Sequence, residues 1–136
     1  MYKISLEIKH KLVESAKNAQ KFAYVPYSNY PVGAALLTES GKIYSGANVE
    51  NAAYPVTMCA ERVAILKAVS EGERELIAIA VITKNGGSPC GSCRQVMAEF
   101  NPEMIVLIAD GEGNIIKEAT VKELLPNYFG PEDMSE

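Results

Sequence analysis

The stretch LIAIAVITKNGGSPCGSCRQVMAEFNPEMIVLIA, Leu76 to Ala109, holds the reading on which the fold turns. Its two ends, Leu76 to Ile82 and Met104 to Ala109, are uninterrupted apolar runs rich in Ile and Val, short enough for strands buried on both faces. Between them Cys93 to Phe100 is long enough for a helix. The unit is predicted as β-α-β, its two strands parallel and joined by a right-handed crossover at the centre of a sheet. An α/β class follows.

Working outward toward the N-terminus, Ala60 to Ser70 is apolar almost all round (Val63, Ala64, Ile65, Leu66, Ala68, Val69) and stops at Gly72, a residue suited to a helix C-cap. Such a helix must be covered on most sides, by the sheet or by another subunit. Before it, Val32 to Thr38 and Lys42 to Ser45, joined by Glu39-Ser40-Gly41, read as a hairpin. Ile8, Leu12, Ala16, Ala19 and Ala23 recur at steps of three or four and predict an amphipathic first helix over Ile8 to Ala23. His10, the single histidine, stands two positions from Ile8 and from Leu12, which turns it to the solvent side of that helix. Toward the C-terminus, Asp110 to Asn114 is a turn into a short strand near Ile115 and Ile116, and Thr120 is placed to cap a short helix through Leu125.

The 136 residues suit a single domain, 1–136, with no internal repeat or linker. With 48% hydrophobic and 22% charged residues, disorder, collagen-like repeats and a coiled coil are excluded. Thirteen Lys+Arg against 17 Asp+Glu give a net charge of -4, spread along the chain, so a nucleic-acid backbone finds no basic stripe to hold. Met1-Tyr2-Lys3-Ile4-Ser5 runs straight into charged residues, and no apolar run nears the roughly 18 to 20 residues of a membrane span, so neither leader nor anchor is expected. Cys59, Cys90 and Cys93 cannot all pair within one chain, which points to a reducing, cytoplasmic compartment and to free or metal-bound thiolates.

The chemistry gathers at Cys59-Ala60-Glu61-Arg62 and Pro89-Cys90-Gly91-Ser92-Cys93. Each piece lies where a loop becomes a helix, and the second follows the carboxyl end of a buried strand, the edge at which open α/β sheets place their ligands. Pro89 is tolerated at a helix start, where the first N–H groups lack intrahelical partners. Cys90 and Cys93, three apart, share a helix face and can grip one ion. Three thiolates on Zn²⁺ carry a formal charge of about -1, and two helix N-termini supply partial positive charge that keeps the sulfurs ionised. Arg62, three residues after Cys59, can donate to that ligand sulfur and offset the residual charge. With His10 badly placed and no fourth cysteine, the fourth position on the zinc is left to water, as in catalytic zinc sites. The metal lowers the pKa of that water from about 16 toward about 7, and Glu61 is the proton carrier beside it. Residues 59 and 61 lie on opposite faces of a regular helix, so the two converge only if Cys59 precedes the first helical turn.

Cys-x-Glu followed by Pro-Cys-x-x-Cys resembles the signature of the zinc-dependent deaminases, in the three-cysteine form. With Cys59 as first ligand, the chain is most similar to the small homotetrameric cytidine deaminases. The segments that carry the resemblance are 27–35 (YSNYPVGAA), 46–55 (GANVENAAYP), 59–62 (CAER), 89–95 (PCGSCRQ), 124–126 (LLP) and 129–133 (FGPED). It implies a three-layer α/β/α cytidine-deaminase-like fold with a five-stranded mixed sheet. It also implies one zinc per subunit held by Cys59, Cys90 and Cys93, and pockets shared between the subunits of a homotetramer. Asn48 and Glu50, two apart on an extended segment, would hydrogen-bond the ribose 3′-hydroxyl. Tyr30 stands where these enzymes usually carry a Phe stacked on the pyrimidine, and its hydroxyl needs a partner. Ala60 would offer its N–H to the base, the Ser88 carbonyl would face the exocyclic amine, and Tyr54 and Phe129 would complete a neighbour's pocket. Arg94 and Gln95 receive no role.

The expected reaction is hydrolytic deamination of cytidine and deoxycytidine to uridine and deoxyuridine with release of ammonia, in pyrimidine salvage, with Glu61 as both base and acid. Three other readings stay open: another aminopyrimidine substrate, which would leave Asn48 and Glu50 unpaired if it lacked the hydroxyl; a zinc-stapled binding module without catalysis; and dithiol redox through Cys90 and Cys93.

Overall fold

The computed structural model describes residues 3–134; Met1, Tyr2, Ser135 and Glu136, which the leader and single-domain readings include, lie outside them. The elements run α1 (Leu6–Gln20), β1 (Gly33–Thr38), β2 (Ile43–Ala47), α2 (Ala60–Ser70), β3 (Leu76–Ile82), α3 (Gly91–Phe100), β4 (Ile105–Ala109), β5 (Ile115–Thr120) and α4 (Val121–Leu124), with short 3-10 turns at Tyr54–Val56 and Pro131–Met134. The strands form one mixed sheet in the order β2-β1-β3-β4-β5. β3 and β4 pair in parallel, Ala80 opposite Leu107, across the α3 crossover, and the other three pairings are antiparallel.

The period of two in the strands sorts their side chains between two cores. On one face Ala35, Ala80, Ile82 and Leu107 pack with Leu12, Val13 and Ala16 of α1. On the other Leu36, Ile79, Val81 and Val106 pack with Ala64, Ile65 and Ala68 of α2 and Met97 of α3. Helices thus cover both faces, which makes three α/β/α layers and explains why β3 and β4 are apolar without alternation.

Local chemistry sets the element ends. The Ser5 hydroxyl caps α1 by accepting from the Ile8 N–H at 3.1 Å. α1 stops at Gln20, three residues before its apolar periodicity does, because Phe22 and Ala23 donate to carbonyls three residues back, Ala19 and Gln20. α4 begins with a full capping box between Thr120 and Glu123. Pro89, read as a residue tolerated at a helix start, stands just outside α3, one residue before the N-cap Cys90. Within one chain the sheet covers α2 only in part: Leu66 is 44% exposed and Lys67 is exposed. Gly46 lets α2 approach β2, because a Cβ there would lie 2.8 Å from the Ala60 carbonyl oxygen and from the Ala64 nitrogen. No helix among the described residues is long and apolar enough to cross a membrane.

Candidate active site

The start of α2 and the start of α3 meet at the carboxyl end of β3. Cys59 is the N-cap of α2 and Cys90 the N-cap of α3, both with extended backbone (ψ 151° and 168°). Cys59 therefore precedes the first helical turn, and its side chain is released from the helical spacing that would have separated it from Glu61. Cys93, one turn into α3, is fully buried. The three sulfurs lie within 4.8 Å of one another, with Cys90 and Cys93 at 3.5 Å.

That donor set suits zinc. Thiolates around one tetrahedral ion with Zn–S near 2.3 Å stand roughly 3.8 Å apart, close to the spacing found. The Arg62 guanidinium donates to the Cys59 sulfur at 3.2 Å, and its buried Nε has no hydrogen-bond partner among the described residues. A hydrogen bond from Cys93, then the Arg62 donor and charge, hold the Cys59 thiol down to about 5 against the opposing effect of burial. Sharing the proton with Cys59, together with burial, pushes Cys93 well up, and the bond to Cys59 keeps Arg62 charged. Arg62 thus faces a cluster built to carry net negative charge, which is the charge that three thiolates on a dication leave behind.

Glu61 is 4% exposed. Burial, reinforced by the Cys59 charge, pushes its carboxyl up to about 6 although its own backbone N–H favours the ionised form. A carboxyl near 6 exchanges protons readily at neutral pH.

Beside the sulfurs opens a cleft of about 460 Å³ whose lining includes Cys59, Cys90 and Glu61. Tyr30, Asn48, Glu50, Tyr54, Ala60 and Ser88 line it too. Asn48 and Glu50 are also committed to the loop before β1. Asn48 accepts from the Val32 N–H at 2.9 Å and donates to the Tyr30 carbonyl at 3.0 Å. Glu50 accepts from the N–H groups of Tyr27 and Ser28 and from the Ser28 hydroxyl. Burial alone would raise the Glu50 carboxyl, yet the Ser28 hydroxyl and these two N–H groups outweigh it and hold the group below its ordinary value. Phe129 lies outside the cleft of its own chain and is 58% exposed, and His10 is exposed on α1.

Residues without a role in the sequence reading also matter. Thr57, Thr83 and Gly87 join the cleft lining. Arg94 reaches back from α3 and donates to the Pro89 carbonyl at 2.8 Å, the Ser88 hydroxyl at 2.9 Å and the Leu124 carbonyl at 2.6 Å, fastening the corner that carries Cys90 to the end of α4. Gln95 donates to the Phe129 carbonyl at 2.6 Å. The signal available in the sequence was their position directly after Cys93, on the helix that carries a candidate ligand.

Comparison with known proteins agrees with this geometry. The family described as the cytidine and deoxycytidylate deaminase zinc-binding region matches residues 6–109. The chain is 54% identical over 128 residues to a cytidine deaminase of Sporosarcina psychrophila, covering 92% of this chain and 93% of that protein. It is 52% identical to one of Halalkalibacterium halodurans, covering 92% and 96%. A crystal structure of cytidine deaminase from Burkholderia pseudomallei superposes with a TM-score of 0.85 at 45% identity, covering 88% of this chain and 98% of that one. One from Mycobacterium tuberculosis gives 0.80 at 34%, covering 94% and 99%. Sulfur tripod, buried acid and sheet order thus coincide with sequence likeness over most of the chain, and the chain belongs to the zinc-binding cytidine and deoxycytidylate deaminase family.

Proposed function

We propose that this chain is a zinc hydrolase that deaminates cytidine and deoxycytidine to uridine and deoxyuridine, releasing ammonia. The observation that carries the reading is one cleft lined by Cys59, Cys90 and Glu61, which sets a buried carboxyl pushed up to about 6 beside a three-sulfur cluster completed by Cys93. Cys59, Cys90 and Cys93 would hold one zinc ion per subunit. When bound, zinc acts as a Lewis acid that makes hydroxide available near neutral pH.

The chain's own residues supply the rest. Glu61 takes a proton from the attacking water and hands it to ring N3 as the oxygen adds to C4. It then takes the remaining proton of the new C4 hydroxyl and passes it to the amino group, so that the C4–N bond breaks, ammonia leaves and the C4 carbonyl forms. The apolar lining around it excludes bulk water and keeps its proton affinity in the useful range. The Ala60 N–H, at the first turn of α2 and free of an intrahelical partner, would bind the base, and the Ser88 carbonyl would accept from the exocyclic amine. Tyr30 would stack on the pyrimidine. Asn48 and Glu50, held rigid by the loop they brace, would present their remaining hydrogen-bonding capacity to the ribose 3′-hydroxyl. Arg62 would hold the Cys59 sulfur and balance the charge of the cluster.

Residues 1–136 act as one domain in this proposal, and the working form is a homotetramer. Support comes from apolar side chains that a lone chain leaves in water, including Phe22 (83% exposed), Val56 (63%) and Leu66 (44%). Phe129, outside the cleft of its own chain, would complete a neighbouring pocket, and so would Tyr54, which also lines the cleft of its own chain. The family's substrate and the three free cysteines favour pyrimidine salvage in the cytoplasm.

Metal content and cytidine turnover measured on the same sample test the proposal. About one zinc per chain and an ultraviolet change as cytidine becomes uridine are expected; zinc with a flat trace over a panel of aminopyrimidine nucleosides favours a binding module instead.

A further inference from the structure

β1 and β3 are antiparallel neighbours with Gly33 opposite Ile82, so the segment entering β1 and the loop leaving β3 emerge side by side from one edge of the sheet. The first segment carries Tyr30. The second, Thr83 to Ser88, leads to Cys90. The Tyr30 hydroxyl donates to Asn85 Oδ1 at 2.6 Å, bridging residues 55 apart in sequence. The Lys84 ammonium lies 5.4 Å from the centroid of the same ring, within cation–π range.

Two features fit the loop to that hydroxyl. A Cβ at Gly87 would lie 2.6 Å from the Tyr30 hydroxyl oxygen, so a side chain there would push it away from Asn85. The Gly87 N–H donates to the hydroxyl of buried Thr83 at 2.6 Å, which braces the loop from within. Tyr30 therefore grips a loop that is already shaped.

We propose that Tyr30 and Asn85 form a latch across the cleft, and that the latch sets how tightly the nucleoside is held. One wall carries Ser28 and Asn48 and the other carries Gly87 and Ser88, all lining the same cleft. A tie between the walls keeps the binding-competent spacing populated. Breaking it lowers that population, and apparent affinity falls by the same fraction. Neither Tyr30 nor Asn85 is hydrogen-bonded to Glu61 or to the three sulfurs, so the proton transfers are spared. Asn85 is a positioning residue, acting through Tyr30, and the inference rests on the proposed place of the base beside Tyr30.

Steady-state kinetics of the zinc-loaded full chain with cytidine test the latch. A neutral, partly exposed hydrogen bond is worth a factor of roughly two to five, so Tyr30→Phe and Asn85→Leu should each raise KM by that factor with kcat within about twofold. Asn85 Oδ1 also accepts from the Thr83 hydroxyl at 3.4 Å, a bond within the loop that Asn85→Leu removes along with the tie. The double variant should therefore match Asn85→Leu, and amide exchange at residues 84–87 should quicken in Tyr30→Phe, which removes the tie alone. Parental KM in both single variants, or a double variant whose KM rises by the product of the two effects, overturns the latch. Tyr30→Ala separates the two claims. Parental KM in that variant removes the base from Tyr30, whereas a raised KM there with parental KM in the Phe and Leu variants removes the latch alone.

Discussion

Glu61 owes its character to burial beside a sulfur cluster, and the neighbouring Glu50 shows the opposite outcome for the same residue type. Glu61 is pushed up to about 6 by desolvation, whereas Glu50, also buried, is pulled down by donors from Tyr27 and Ser28. Replacing Glu61 by Gln should lower kcat by at least roughly 10²- to 10⁴-fold while zinc content stays at the parental level, read by turnover and metal analysis together. A parental rate in that variant would remove Glu61 from the chemistry. For Glu50 the sign is that of a depressed acid: its contribution to stability is present above the ordinary carboxylate range and is lost as pH falls through its lower folded value. Glu50→Gln should therefore flatten the fall of melting temperature below about pH 4.5, and an unchanged acid limb would count against the brace. From sequence alone the two acids were legible as site residues, but the 23-residue reach from Tyr27 to Glu50 was not, because nothing local in the chain encodes it.

At the level of elements, two helix starts and one clamp position the metal ligands. Neither the Cys59 nor the Cys90 side chain caps its helix by a hydrogen bond, which leaves both sulfurs available for the ion. Cys90 is exposed, and Arg94 holds its corner through the three bonds to Ser88, Pro89 and Leu124. Arg94→Ala should cost about 2 kcal/mol, a fall of several degrees in melting temperature, and should speed zinc loss to a chelator. Unaltered melting and chelation rates would show the corner to be held by other means. The limits of α2 and β3 were readable because their apolar runs begin and end sharply, at Ala60, Ser70, Leu76 and Ile82. α1 was overread because Ala23 keeps the apolar spacing after the backbone has left the helix. The position of Arg94 directly after Cys93 hinted at a role, but its bond to the Leu124 carbonyl, 30 residues away, left no mark in the local sequence.

On the scale of the whole molecule, a sheet buried on both faces places one functional edge between two layers, while several apolar side chains stay outside. The proposed tetramer predicts a mass near four chains in light scattering, and Phe129→Ala should cut turnover without emptying the zinc, through the neighbour's pocket. A monomer with full activity would refute shared pockets. The β-α-β core and the sulfur tripod could be read from composition and spacing, but assembly could not, because an exposed Phe22 looks the same in sequence as a buried one. Cys59 comes from the helix that follows the β1–β2 hairpin, while Cys90 and Cys93 come from the crossover behind β3, so a single ion rivets the earlier half of the chain to the later half. Stripping it should unfasten both helix starts together, and a protease would then find its first cuts at the two ends of that rivet.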